Sequence, residues 1–271
     1  MHINIYDTHT HSKYSFDGCM EIDEMCRIAI ERDIKMITVT DHYDIDGIVY
    51  GYYPPYYADD AYNDIMTAKD TYSGKLHIGY GIELGQAHVM PEAAAEFLNK
   101  YKFEYVIGSF HNMRDVPDFS FMRFNVMPIE YCGYLWQRYL DEFHEMLDFD
   151  GIHTVAHLTY PVRYMMRANK KIEYKKYYDN IISIYKKIIE KGLCLEINTS
   201  GLRQDMKVTM PDVELLKLYY DCGGELISIG SDAHKPEHIG MNITDAYDIA
   251  RDIGFKYTTV YINGKPEFIK L

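Results

Sequence analysis

The sequence predicts an α/β fold, a barrel of parallel strands built from seven strand-then-helix units in one series. Three observations predict it. Short β-branched runs alternate with segments of helical period along the whole chain. No linker or low-complexity stretch divides the 271 residues, and about 250 residues is an ordinary length for one such barrel, so a single domain over 1–271 is expected. Finally, six of the seven strands end in a side chain able to bind a metal.

The first strand is the run Ile3-Asn-Ile-Tyr-Asp-Thr8, from whose end His9 and His11 leave in the same direction, two residues apart. Asp17 follows in a short loop. Residues 20–33 carry Ile22, Met25, Cys26, Ala29 and Ile30 at helical spacing. Met36 to His42 is strand two, too short and too β-branched for a helix. From Tyr43 to Tyr72 the pattern breaks into an Asp/Gly/Pro-rich loop, whose Pro54-Pro55 forbids regular helix, followed by a helix over 59–70. The tyrosines of this stretch are expected mainly to pack on the barrel, with a substrate lid as the alternative.

Leu76 to Glu83 is strand three, closed by a glutamate in an apolar setting, and Pro91 opens a helix to about Tyr101. Glu104 to His111 is strand four. Residues 112–127 lack periodicity and read as loop; 129–147 regain helical spacing. Gly151 to His157 is strand five, with Arg163 on the loop behind it. A strong amphipathic helix over 174–191 stops at Gly192. Leu193 to Asn198 is strand six, 211–222 a helix, and Leu226 to Asp232 strand seven, followed by His234. The tail holds a helix over 242–253 and two short runs about an Asn263-Gly264 turn.

Composition narrows the function. No run of 18 apolar residues is present to span a bilayer, no charged-then-apolar leader is visible, and five cysteines without a Cys-x-x-Cys pair fit a reducing compartment. A cytoplasmic protein without a membrane partner is expected; the oligomeric state is left open. With 28 basic and 41 acidic residues the net charge is −13, which argues against long nucleic acid and for a small substrate.

In a parallel barrel the C-terminal strand ends converge on one face, so ligands far apart in sequence meet in space. Singly, Glu83 could be a buried acid, His111 a capping histidine and Asp232 a helix N-cap. Jointly, six histidines and three carboxylates exceed what one tetrahedral zinc uses, so two or three metals are implied. The imidazole and carboxylate mixture suits zinc, iron(II) or manganese.

These residues resemble the polymerase-and-histidinol-phosphatase (PHP) family: His9-Thr-His11, Thr40-Asp-His42, Glu83, Gly108-Ser-Phe-His111, Ala156-His157 and Ser231-Asp-Ala-His234 all match, over about residues 5–260. Within it, Asp17, the Arg163 loop and Asn198-Thr-Ser-Gly-Leu202 look most like the branch acting on histidinol phosphate. The resemblance implies a distorted TIM-like (β/α)7 barrel of the PHP type with three divalent metal ions (Zn, Fe or Mn). It further implies His9, His11, Glu83 and Asp232 on one metal, Glu83, His111 and His157 on a second, and Asp17, His42 and His234 on a third, with Glu83 bridging. The segment after Asp44 and the loop 112–127 match no substrate motif of the family.

The expected chemistry is phosphomonoester hydrolysis by a metal-bridging hydroxide attacking phosphorus in line. Three divalent ions against three carboxylates leave the site about three charges positive, enough to draw a phosphate into an acidic protein. Arg163 is the expected phosphate clamp, Arg203 a weaker substrate-binding candidate, and Asp44 the candidate acid for the leaving group. The competing expectations are a phosphoesterase for nucleotides or other small esters, and a non-catalytic metal-binding regulatory domain.

Overall fold

A computed structural model describes residues 4–271, so Ile3, the start of the expected first strand, lies outside the described residues. The barrel strands are β1 (Ile5–Thr10), β2 (Ile34–Val39), β3 (His42–Asp44), β4 (His77–Gly85), β5 (Tyr105–Ser109), β6 (Thr154–Val155), β7 (Cys194–Asn198) and β8 (Ile227–Gly230). Neighbours pair in parallel in the order β1-β2-β4-β5-β6-β7-β8, with β3 also on β4. These are the seven expected strands, because β2 and β3 are one strand interrupted at Thr40 and Asp41.

The barrel nearly closes, and it does so at its C-terminal mouth. Asp232 N–H donates to the His9 carbonyl and His11 N–H to the Ala233 carbonyl, each at 2.8 Å. The seam between first and last strand is thus made by the ligand-bearing residues themselves.

Two strands differ from expectation for local reasons. Strand two breaks because Asp41 is buried and turned onto the loop after β1, where its carboxylate accepts from Ser12 N–H (2.6 Å), Ser12 Oγ (2.8 Å) and Ser15 Oγ (3.1 Å). Strand five shrinks to two residues because the His153 imidazole accepts the Val106 N–H (2.9 Å) while the His153 backbone N–H donates to the Val106 carbonyl (2.8 Å). A side chain there replaces a rung of the ladder.

The helices lie outside. α1 (Ile22–Glu31) buries Ile22, Met25, Cys26 and Ala29. The helices α3 (Ala58–Thr71) and α4 (Pro91–Tyr101) follow the short α2 (Ile45–Val49), a turn of helix inside the expected loop. α5 (Ile129–Met146) lays Trp136, Tyr139, Leu140 and Phe143 into the largest core cluster, which also takes Ile181, Ile184, Tyr185 and Ile188 of α7 (Tyr178–Glu190). Each such residue contributes roughly 1.5–3 kcal/mol on burial.

The short α6 (Tyr160–Arg167) and α8 (Ser200–Arg203) were expected as loops, while α9 (Val213–Asp221) and α10 (Ile243–Ile253) fall where helical spacing placed them. The tail is a hairpin of β9 (Tyr257–Ile262) and β10 (Lys265–Lys270). Its two-residue turn puts Asn263 at φ 52° and Gly264 at φ 75°, the conformation that favours this dipeptide.

The segment 112–127 is ordered by an anchor on α5. Glu142, 6% exposed, accepts from Arg114 N–H (2.9 Å) and Arg138 Nε (3.0 Å), and Arg138 Nη2 donates to the Arg114 carbonyl (2.6 Å). Burial works against the charge, but His88, the Arg114 N–H and Arg138 outweigh it and lower the Glu142 carboxyl below its ordinary value. A depressed carboxyl stabilises above its unfolded pKa, and that stability is lost as pH falls through the folded value. Glu142→Gln is expected to cost about 2 kcal/mol at neutral pH and little in acid. Denaturant unfolding at both pH values checks this; an equal cost at both would remove the charge argument.

Candidate metal centre

The C-terminal mouth collects all nine side chains singled out as ligands. His9 is the penultimate residue of β1 with His11 just beyond its end, His42 opens β3, and Glu83 lies two residues from the end of β4. His111, His157 and Asp232 each stand two residues past the ends of β5, β6 and β8. Two of them leave their strands through rare backbone: His157 has φ 22° and Asp232 φ 54°. Non-glycine residues in that region are held there by their surroundings.

Glu83, fully buried, is the hub. Its Oε2 lies 3.2 Å from His9 Nε2, 3.4 Å from His11 Nε2 and 2.8 Å from His42 Nδ1. Its Oε1 lies 3.2 Å from His111 Nε2 and 2.9 Å from His157 Nε2. Asp232 Oδ1 completes the first group at 3.9 Å from His9 Nε2 and 3.4 Å from His11 Nε2. On the outer side, Asp17 Oδ1 and Oδ2 face His42 Nε2 (3.6 Å) and His234 Nε2 (3.3 Å), and those two nitrogens are 3.3 Å apart. The triads His11–His42–His234 and His42–Glu83–His111 are equally compact, with donors within 4.8 Å of one another, so the groups share walls.

These donors fit divalent ions. His9 Nε2, His11 Nε2 and Glu83 Oε2 are buried and converge, yet none has a hydrogen-bond partner among the described residues. Buried polar atoms without partners are costly; a shared cation would satisfy all three. The electrostatics agree. Against the opposing effect of burial, His42, His9 and His111 hold Glu83 well below the usual carboxylate range, and Glu196, Glu83 and Asp232 hold His9 well above the usual imidazole value. His11 is pushed well down, by burial first and then by His234 and His42.

A second layer fixes the rings. His9 Nδ1 meets Glu196 Oε1 at 2.6 Å, His11 Nδ1 meets Ser15 Oγ at 2.9 Å, and His111 Nδ1 meets Asp44 Oδ1 at 2.9 Å. Glu196 also accepts the His157 N–H through Oε2 (2.9 Å), so one carboxylate orients members of two groups. Gly230 makes this possible: a Cβ there would collide with His9 Cβ and crowd Glu196. Sequence reasoning passed over Glu196, although a glutamate inside the apolar run Leu193-Cys-Leu-Glu-Ile carries the same signal as Glu83.

Three expected substrate or catalytic residues fall in different places. Arg163 reaches the cavity above the donors, a space of ≈ 130 Å³ also lined by His42, His157 and Asp118. Its Nη1 donates to Gln204 Oε1 (3.0 Å), Nη2 to the Tyr164 hydroxyl, and the guanidinium lies over the Tyr160 and Tyr164 rings at 4.8 and 4.5 Å. Asp44 instead sits behind His111, 1% exposed. Its hydrogen bond to the His111 ring and its place outside the cavity lining favour a positioning role over the expected acid role. Arg203 donates to the carbonyls of Ser231 and Asp232, both at 2.6 Å, and is not among the residues lining the cavity. It holds the Asp232 backbone, whose φ is positive, and these contacts favour a positioning role over the expected substrate-binding one. The tyrosine-rich stretch divides: Tyr56 packs against Tyr43 and Phe97, whereas Tyr53 lines the cavity.

Comparison with known proteins gives concordant results. A family model described as PHP domain matches residues 7–200. A probable histidinol-phosphatase of Thermotoga maritima is 29% identical over 256 residues, covering 94% of each chain. One of Clostridium acetobutylicum is 26% identical over 259 residues, covering 93% of this chain and 95% of its own. Among solved structures, histidinol phosphate phosphatase of Lactococcus lactis, complexed with zinc, L-histidinol and phosphate, superposes with a TM-score of 0.83 at 21% identity over 97% of this chain and 99% of that one. That likeness is one of fold.

Proposed function

The chain belongs to the PHP domain family, and on that footing we propose that it is a metal-dependent phosphomonoesterase converting L-histidinol phosphate to L-histidinol and phosphate. The observation that carries this reading is Glu83 at the centre of five imidazoles, with Arg163 lining the cavity above them. His9, His11, Glu83 and Asp232 would hold one ion, Glu83, His111 and His157 a second, and Asp17, His42 and His234 a third. Divalent zinc, iron or manganese there supplies Lewis-acid charge and activates water at neutral pH. The chain orients the ester: Arg163 offers a planar fork to the phosphate, Asp44 and Glu196 fix His111 and His9, and Arg203 fixes the Asp232 backbone. Small-molecule use also accords with the −13 charge; among the described residues no helix is long and apolar enough to cross a membrane.

The test compares L-histidinol phosphate, nucleoside monophosphates and bis(p-nitrophenyl) phosphate on metal-loaded protein. A kcat/KM at least roughly a hundredfold higher for histidinol phosphate is expected. Preference for nucleotides would transfer the chemistry to another small ester, and no turnover with zinc, iron(II) or manganese would leave a metal-binding regulatory domain.

Ion binding should release protons. Although burial opposes it, Glu83 and Asp17 raise His42 to about 9, so in the metal-free protein at pH 7 it is a protonated imidazolium. An ion must displace that proton, hence apparent zinc affinity rises with pH through about 9. Titrations in buffers of different ionisation enthalpy measure the release; a pH-independent affinity between about pH 6 and 9 would contradict it. Glu196→Gln, which removes the anchor of His9, is expected to weaken zinc binding roughly 10–100-fold.

A further inference from the structure

The two segments that match no substrate motif, the tyrosine-rich stretch after Asp44 and residues 112–127, meet beside the metal-facing cavity. They enclose a chamber of ≈ 570 Å³ that shares Tyr53, Asp118 and Phe121 with it. Two opposite charges of this joined wall, Arg163 and Asp118, make no ion pair with each other, and Asp46 and Asp115 add further carboxylates to the chamber side. Among the described residues, the direct hydrogen-bond and ring partners of Arg163 are neutral, Gln204, Tyr164 and the Tyr160 ring, with the Asp232 charge acting at longer range. Asp118, 8% exposed, likewise accepts only from neutral donors: Ser120 N–H (2.6 Å), the Tyr160 hydroxyl (3.1 Å) and the Tyr53 hydroxyl (3.4 Å).

What keeps the two apart is a relay of phenols. Arg163 Nη2 donates to the Tyr164 hydroxyl, which donates to the Tyr160 hydroxyl (3.0 Å), which donates to Asp118 Oδ1. The Tyr160 ring is itself packed on His111 and His157, with centroids 5.0 and 5.2 Å away. The spacing of cation and anion is therefore set against the metal donors.

We propose that Arg163 and Asp118 together read a zwitterionic ester, an amino-substituted phosphomonoester whose phosphate lies at Arg163 and whose ammonium lies at Asp118. The remainder of the alcohol then occupies the aromatic walls formed by Tyr53 and Phe121. A largely desolvated carboxylate with neutral partners gains most from a ligand cation, and aromatic faces beside it favour the same charge. An ester whose alcohol carries no positive charge gains nothing at Asp118, and one carrying further negative charge is repelled, so the residue also selects against wrong substrates. This rests on the phosphomonoesterase reading above but not on histidinol as the alcohol.

The test measures Asp118→Asn and wild type, both metal-loaded, on L-histidinol phosphate, O-phosphoethanolamine and the uncharged isostere propyl phosphate. The loss of kcat/KM for the two ammonium esters is expected to exceed that for propyl phosphate roughly ten- to hundredfold, mainly through KM, with partial recovery in Asp118→Glu. Equal losses on all three, or none, would overturn the proposal. Inhibition by L-histidinol and by inorganic phosphate gives a binding readout where turnover is slow: the variant should lose the first selectively, and parallel loss of both would count against it. Wild type that ignores histidinol phosphate yet prefers O-phosphoethanolamine to propyl phosphate would refute the named substrate and leave the charge reading standing. Turnover of histidinol phosphate by both proteins without discrimination would do the reverse.

Discussion

Replacing Glu83 with glutamine is expected to leave two of the three ligand groups unfilled and to lower phosphomonoester turnover roughly a thousandfold or more. The substitution keeps volume and shape at a position with no exposure and removes one charge. That charge is shared: Oε2 faces His9, His11 and His42, and Oε1 faces His111 and His157. An amide offers one weakly basic oxygen where two anionic ones stood, so both the inner groups lose their common ligand. The outer group of Asp17, His42 and His234 keeps its own donors. Elemental analysis per chain should therefore fall from three ions towards one, together with the rate. Three ions retained at the wild-type rate would remove Glu83 from the centre of the site.

The same substitution acts on the metal-free protein. His42, His9 and His111 depress the Glu83 carboxyl against the effect of burial, so its contribution to stability is present above the unfolded carboxylate value and is lost as pH falls. Glu83→Gln should thus destabilise the metal-free chain at neutral pH and converge on wild type in acid. Metal loading and stability are then read on separate samples, which distinguishes a lost ligand from a damaged barrel.

How much of this was legible in the sequence depended on whether a residue's role follows from its place along a strand. His42, Glu83, His111, His157 and Asp232 were legible because a parallel barrel turns every strand end to one face, whatever the detailed pairing. The interruption of strand two at Asp41 and the shortening of strand five at His153 left those ends where they were expected, since each side chain substitutes for a backbone rung nearby. α6 escaped because an eight-residue segment with Pro161 near its start offers too few turns for a period to declare itself.

Roles set by partners rather than position were not legible. Asp44 stands two residues past His42 and Arg203 on the loop after strand six, and the sequence points both at substrate; a hydrogen bond to His111 and a pair to the Ser231 and Asp232 carbonyls instead favour positioning roles. Asp118 lay in a segment without period, and only the folded chain brings it to Tyr53 and Tyr160. Glu196 faces inward from mid-strand, where alternation marks a buried acid but not the histidine it serves.

Arg163→Gln is expected to lower kcat/KM for the phosphomonoester roughly a hundred- to thousandfold while leaving the number of bound ions unchanged. The guanidinium is held for this task from below and beside, by the Tyr160 and Tyr164 rings, Gln204 and the Tyr164 hydroxyl. Its Nε is buried without a partner. A cation held by neutral groups keeps its charge for an anion, and a planar fork can meet two phosphate oxygens at once. Arg163→Lys keeps the charge but loses the fork and the stacking, so it should recover only part of the loss. Inhibition by inorganic phosphate should weaken in both variants in step with KM, because the product presents the same oxygens as the ester. If Arg163→Gln bound phosphate as tightly as wild type with all ions in place, the arginine would be a packing element of α6, and recognition of the phosphate would fall wholly to the metal ligands.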